Sequence, residues 1–168
     1  MLATATAVEI RDLRPDDWAQ VAEIYWDGMR DGLATFETEV PSWEAWDRKH
    51  LQSHRLVAEL DGEVVGWAAL APASTRYCYR GVVENSVYVA REARGLGIGR
   101  KLLEALIAGS EAAGIWTIQT SIFPENRASL ALHEKCGYRA VGIRERVAKR
   151  DGVWRDTVFL ERRSKEIT

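Results

Sequence analysis

The sequence predicts an α+β domain with a mixed sheet. Three observations predict it. Segments with apolar residues at every second position outnumber segments with apolar residues at every third or fourth. The two kinds do not alternate regularly, and their order reads β-α-α-β-β-β-α-β-α-β-β. A chain of 168 residues fits one domain with a real core, here spanning 1–168.

Each element has a local reason. Val8 and Ile10 alternate with polar residues as a first strand. Pro15 and Asp16 open a helix whose apolar face is Trp18, Val21, Ala22, Tyr25 and Met29. Residues 31–40 read as irregular, and Pro41-Ser42 starts a second helix carrying Trp43, Trp46 and His50. Leu56, Ala58 and Leu60 alternate, as do Val65, Trp67 and Ala69, around the hairpin turn Asp61-Gly62. A loop rich in Arg and Tyr, Pro72 to Gly81, leads to a strand from Val83 to Val89. Leu102, Leu103, Leu106 and Ile107 form one face of a helix that Gly114 ends. Trp116, Ile118, Thr120 and Ile122 alternate as a strand, and a short helix runs from about Arg127 to Cys136. Two last strands, near Arg139–Val147 and Val153–Leu160, flank the turn Asp151-Gly152. Residues 1–7 and 163–168 read as loose ends.

Composition narrows function. The formal net charge is -2, without the basic excess of a nucleic-acid binder. The apolar runs are too short to span a bilayer, and MLATATAVEI lacks the pattern of a signal peptide. Cys78 and Cys136 give neither a disulfide scaffold nor a metal site, and the three His show no ligand spacing. No metal, nucleic-acid or membrane partner is expected, and the default location is the cytoplasm. Of the seven Trp, Trp18, Trp43, Trp46, Trp67 and Trp116 fall on core faces. Trp26 and Trp154 suit a pocket or a subunit interface.

Arg94-Gly95-Leu96-Gly97-Ile98-Gly99-Arg100 lies between a strand and a helix. Glycines let the backbone turn tightly and approach a ligand, and free N–H groups at a helix start favour an anion. Arg94, Arg100 and Lys101 add positive charge, so a phosphate-bearing ligand is the natural inference. The loop lacks the Walker pattern, and Leu102 stands where a dinucleotide fingerprint needs its last Gly. A glycine-rich turn with no ligand is the bland alternative.

Arg94-x-x-Gly97-x-Gly99 after Val87-Tyr88-Val89 resembles the acetyl-coenzyme A loop of the GNAT N-acetyltransferase superfamily. Asn126-x-x-Ser129-x-x-x-His133-x-x-x-Gly137-Tyr138 is similar to that family's second motif. Val83–Val89, Leu132-His133-Glu134, Gly152–Asp156 and the loop Thr35–Glu39 resemble the phosphinothricin and methionine sulfoximine acetyltransferase branch. The resemblance implies a three-layer domain with a central mixed, mostly antiparallel sheet flanked by helices. It implies acetyl-CoA as co-substrate, an amino-acid-like acceptor, a resistance or detoxification role, and a homodimer.

Acetyl transfer to an amine must remove a proton from an ammonium of pKa about 10, stabilise the thioester oxyanion and release a thiolate. Glu84, on the strand leading into the loop, is the candidate base, with partial burial expected to raise its pKa; a strand-end ion pair is the alternative. His133 stands where many relatives have Tyr, and is a candidate proton relay or a satisfied helix histidine. Tyr88 and Tyr138 are weaker candidates. Cofactor contacts are expected from Val87, Tyr88, Val89, the loop Arg94, Gly95, Leu96, Gly97, Ile98, Gly99 and Arg100, and Asn126, which could equally cap a helix. Acceptor contacts are expected from Phe36, Arg76, Arg80, Glu84 and Asn85, since Arg suits carboxylate or phosphinate. A protein N-terminus, polyamine or aminoglycoside acceptor remains open, as does an acetyl-CoA binding domain without transfer activity.

Overall fold

The computed structural model describes residues 7–168; of the expected loose N-terminal end, residues 1–6 lie outside the described residues. Among the described residues seven strands form one sheet in the order β1-β2-β3-β4-β5-β7-β6. They are β1 (Glu9–Asp12), β2 (Leu56–Leu60), β3 (Glu63–Pro72), β4 (Val82–Val89), β5 (Thr117–Ile122), β6 (Arg139–Arg150) and β7 (Val153–Arg163). All neighbours are antiparallel except β4 and β5, so the sheet is mixed and mostly antiparallel.

Helices α1 (Trp18–Arg30) and α2 (Trp43–Lys49) cover one face, and α3 (Ile98–Ala112) and α4 (Arg127–Lys135) the other. The pleat decides which side chains meet them. Trp67 pairs with Tyr88 across β3 and β4, and Tyr25 of α1 meets both rings edge-on at 5.4 and 4.9 Å. Trp46 of α2 packs on Trp67 at 5.7 Å, on the same side. Gly66, one residue away, faces α3, where a Cβ would lie 3.0 Å from Leu102. Ser42 caps α2 by accepting from the Ala45 N–H, as its place before the apolar face predicts. Asp61 and Gly62 both take positive φ in the β2–β3 turn.

The chain end is tied down more than expected. β7 runs to Arg163, the Ser164 N–H donates to the Trp116 carbonyl at 2.8 Å, and Ser164 is buried. Residues 163–168 therefore begin as sheet extension and not as a loose tail. No helix among the described residues is long and apolar enough to cross a membrane.

Candidate active site

β4 and β5 pair only over Val82–Glu84 and Thr117–Gln119, although both strands continue. Beyond Glu84 they part. Ala73 and Ala90 donate to the carbonyls of Val82 and Val65, which points even-numbered β4 residues toward β3. Val87 and Val89 therefore turn their N–H and C=O groups into the gap, free for a strand-like ligand arm. Gly99 fits tightly there, its Cβ position 3.2 Å from Leu132 and 3.6 Å from Val89.

A groove of about 690 Å³ runs from this gap to the start of α3. Gly95 and Gly97 have φ of +81° and +75°, and Gly97 is the N-cap of α3. Their positions face open space, so the conformation, and not crowding, demands glycine. The first N–H groups of α3 point outward with the helix dipole behind them. Gly95, Gly97, Ile98, Gly99, Arg94 and Arg100 line the groove; Leu96 is exposed and does not. Asp31 holds Arg91 at 2.5 Å and Arg94 at 3.4 Å, and Arg100 pairs with Glu104 at 2.7 Å. Asn126 does cap α4, accepting from the Ser129 N–H at 3.2 Å, and also donates to the Leu33 carbonyl while lining the groove.

A second cleft of about 250 Å³ lies on the α1 side of the gap, with Val87, Tyr88 and Asn126 shared between the two. Glu84, Ser86 and Tyr88 share that face of the sheet with Ser121 of β5. Glu84 is exposed in the cleft, so the partial burial expected of it is absent. No side chain among the described residues pairs with it, so the strand-end ion pair is absent among them too. Burial pushes the Tyr25 hydroxyl up to about 12, with Glu37 adding to the shift, and drives the Tyr88 hydroxyl higher still. Neither phenol ionises near neutral pH.

Asn85 and His133 both line the cleft, and His133 takes the second of its two expected places, a satisfied helix histidine. Asn85 is buried on the opposite face, where the Tyr138 hydroxyl donates to its Oδ1 at 2.9 Å. Its Nδ2 meets His133 Nε2 at 3.1 Å, and His133 Nδ1 lies 2.7 Å from the Ser129 carbonyl. A carbonyl only accepts, so Nδ1 carries the proton and Nε2 accepts from Asn85. Burial holds His133 below the ordinary imidazole range, and the bond to Ser129 offsets only part of that. The Asn85 side chain is thus committed to Tyr138 and His133, and both ring nitrogens of His133 are occupied. Together they plug the base of the gap.

Arg76 and Arg80 do not line the cleft. Both are exposed on the loop before β4, Arg76 over Tyr79 at 5.3 Å and Arg80 over Tyr77 and Trp116 at 4.3 and 5.2 Å. Phe36 does line it, edge-on to Phe123 at 4.8 Å.

The structure adds residues that periodicity does not mark. The segment Gly32–Glu37 straps the gap between groove and cleft. Arg150, from the far end of β6, donates to the carbonyls of Met29, Thr35 and Glu37 at 2.6 to 2.9 Å. Arg155 of β7 reaches Gly32 and stacks over Phe123 at 4.0 Å. Glu37 and Lys49 both line the cleft. In the sequence the strap is marked by the resemblance of Thr35–Glu39 to a loop of the phosphinothricin branch, with Phe36 as an expected acceptor contact.

This geometry coincides with known proteins. The model of the acetyltransferase (GNAT) family matches residues 18–138. The chain belongs to the GNAT acetyltransferase family. Among relatives, a phosphinothricin N-acetyltransferase of Alcaligenes faecalis is 37% identical over 164 residues, covering 93% of this chain and 82% of the relative. An L-methionine sulfoximine/L-methionine sulfone acetyltransferase of Pseudomonas aeruginosa is 31% identical, covering 92% of this chain and 94% of its own. Among solved structures, a GNAT phosphinothricin acetyltransferase from Sinorhizobium meliloti in complex with AcCoA superposes with a TM-score of 0.87 at 31% identity. It covers 96% of this chain and 90% of its own.

Proposed function

We propose that this GNAT protein transfers the acetyl group of acetyl-CoA directly to the amine of a small amino-acid-like acceptor, of the phosphinothricin or methionine sulfoximine kind. The observation that carries this is the juncture of two spaces at one point of the sheet. The groove ends on the free backbone of Val87 and Val89, and the cleft holding Glu84 opens beside it.

The step follows from that placement. The pantetheine arm bonds Val87 and Val89 as an added strand, with the pyrophosphate on the N–H groups at the start of α3. This brings the thioester to the gap beside Glu84. Glu84 takes the ammonium proton, directly or through water, since the cleft admits solvent. The freed lone pair attacks the thioester carbon, a strand N–H stabilises the oxyanion, the C–S bond breaks, and the departing CoA thiolate takes up the second proton of the amine nitrogen. His133 stays neutral and holds Asn85, so it positions the strand and leaves proton removal to Glu84.

We also read the protein as a cytoplasmic homodimer with a resistance or detoxification role. Two free cysteines, Cys78 and Cys136, suit a reducing compartment. Edge strand β6 exposes Val141, Ile143 and Val147, and Val153 and Trp154 add apolar surface at its hairpin. Light scattering at micromolar protein should give twice the chain mass; the mass of one chain overturns the dimer.

The function is tested by thiol release from acetyl-CoA across a panel: phosphinothricin, methionine sulfoximine, methionine sulfone, common amino acids, polyamines and aminoglycosides. Turnover confined to the amino-acid members supports the reading. Turnover with polyamines or aminoglycosides alone replaces the acceptor class, and none with any member sinks it.

A further inference from the structure

Lys49 is the last residue of α2 and lines the acceptor cleft. It forms no ion pair or hydrogen bond among the described residues. Arg55 takes one carbonyl of α2, that of Asp47, and the two that follow the helix, those of His50 and Leu51. Arg55 donates to the carbonyls of Leu51 at 2.5 Å, Asp47 at 2.9 Å and His50 at 3.2 Å, and pairs with the Asp47 carboxylate at 2.5 Å. The Leu51 N–H bonds the Leu70 carbonyl at 2.8 Å, which pins the same turn to β3. The backbone at Lys49 is therefore fixed, while its ammonium is left to the cleft.

The charges around the cleft form a pattern. Glu37 and Glu84 supply two carboxylates. His133 lines it too but is held neutral by burial. Lys49 is then the one permanent cation among the described lining residues. Arg76 and Arg80, which the sequence offered for an acidic acceptor, are engaged with aromatic rings of their own loop region. An acceptor with an ammonium and a carboxylate matches a cleft lined by two carboxylates and a single cation.

We propose that the Lys49 ammonium binds the carboxylate of the acceptor and so selects amino acids over plain amines, a specificity role that rests on the acetyltransferase reading above. With the carboxylate held at the end of α2, the amine is directed toward Glu84 and the gap. Lysine suits this as a compact point charge on a long stem that reaches in from a rigid turn.

The test compares L-methionine sulfone with the amine that lacks only its carboxylate, in the full chain and in Lys49→Met, Lys49→Arg and a double Arg76→Ala, Arg80→Ala variant. The wild type should prefer the amino acid. Lys49→Met should erode that preference about ten- to a hundred-fold, the size of one charge-assisted hydrogen bond, mainly through the acceptor KM and not the KM for acetyl-CoA. Lys49→Arg should restore most of it, and the double Arg variant should keep it. Preference intact in Lys49→Met overturns the proposal, as does its collapse in the double Arg variant alone. A wild type that acetylates neither compound fails at the level of the function itself, a result distinct from either.

Discussion

At the scale of single residues, two candidates that look alike in sequence separate in the structure. Glu84 and His133 both sit in motifs that resemble a known branch. Glu84 is solvent-accessible in the cleft without a partner among the described residues, whereas His133 is buried with both nitrogens engaged. Glu84→Gln should therefore lower kcat by about a hundred- to ten-thousand-fold, the range for general bases. Acetyl-CoA binding by calorimetry should be retained. An unchanged rate would dismiss Glu84 as base. His133→Phe should instead cost stability, about 1–3 kcal/mol in urea unfolding, because Asn85 Nδ2 loses its acceptor in the core. A rate loss in His133→Phe as deep as that of Glu84→Gln, with stability unchanged, would reverse the two roles. Gly97→Val forces a β-branched residue into positive φ and should weaken acetyl-CoA binding more than it weakens the acceptor. The glycine loop was legible because its conformational demand is written in residue type. The commitment of Asn85 was not, since a buried amide and a substrate-binding amide are the same letter until its partners, His133 of α4 and Tyr138 just before β6, are placed.

At the scale of elements, the site is a consequence of two strands that stop pairing. Periodicity finds β4 and β5 but carries no trace of where their hydrogen bonds end, because alternation is the same in a paired and an unpaired strand. The anchoring of the strap Gly32–Glu37 was equally hidden. The strap has no period of its own, and its shape comes from Arg150 and Arg155, more than a hundred residues away in sequence. Arg150 has 10% of its side chain exposed and three carbonyls to hold. Arg150→Met should loosen the wall carrying Phe36 and Glu37, raising the acceptor KM about ten-fold. Arg150→Lys, with one charged nitrogen for three acceptors, should recover part of the loss. An acceptor KM unmoved in Arg150→Met would show that the strap holds its place without this anchor.

At the scale of the whole molecule, the α+β class and nearly every element follow from the sequence, because amphipathic strands and helices with a shared core leave few arrangements. The core carries a further consequence. His50 is buried against Trp46 at 4.2 Å, and burial pulls it down to about 4. In the unfolded chain it takes up a proton near pH 6.5. Its contribution is thus fully present above about pH 6.5 and is lost as pH falls toward 4, by about 3 kcal/mol. His133 acts in the same direction. Melting temperature should fall across that window in the wild type and fall less in His50→Gln; equal slopes would contradict the assignment. The central claim, however, concerns what the juncture of groove and cleft does. Incubation with acetyl-CoA and L-methionine sulfone, followed by mass spectrometry of the small molecules, tests it most directly. Methionine sulfone should carry one acetyl group on its amine, formed in step with free CoA. Unmodified methionine sulfone, with acetyl-CoA intact or merely hydrolysed, would contradict it.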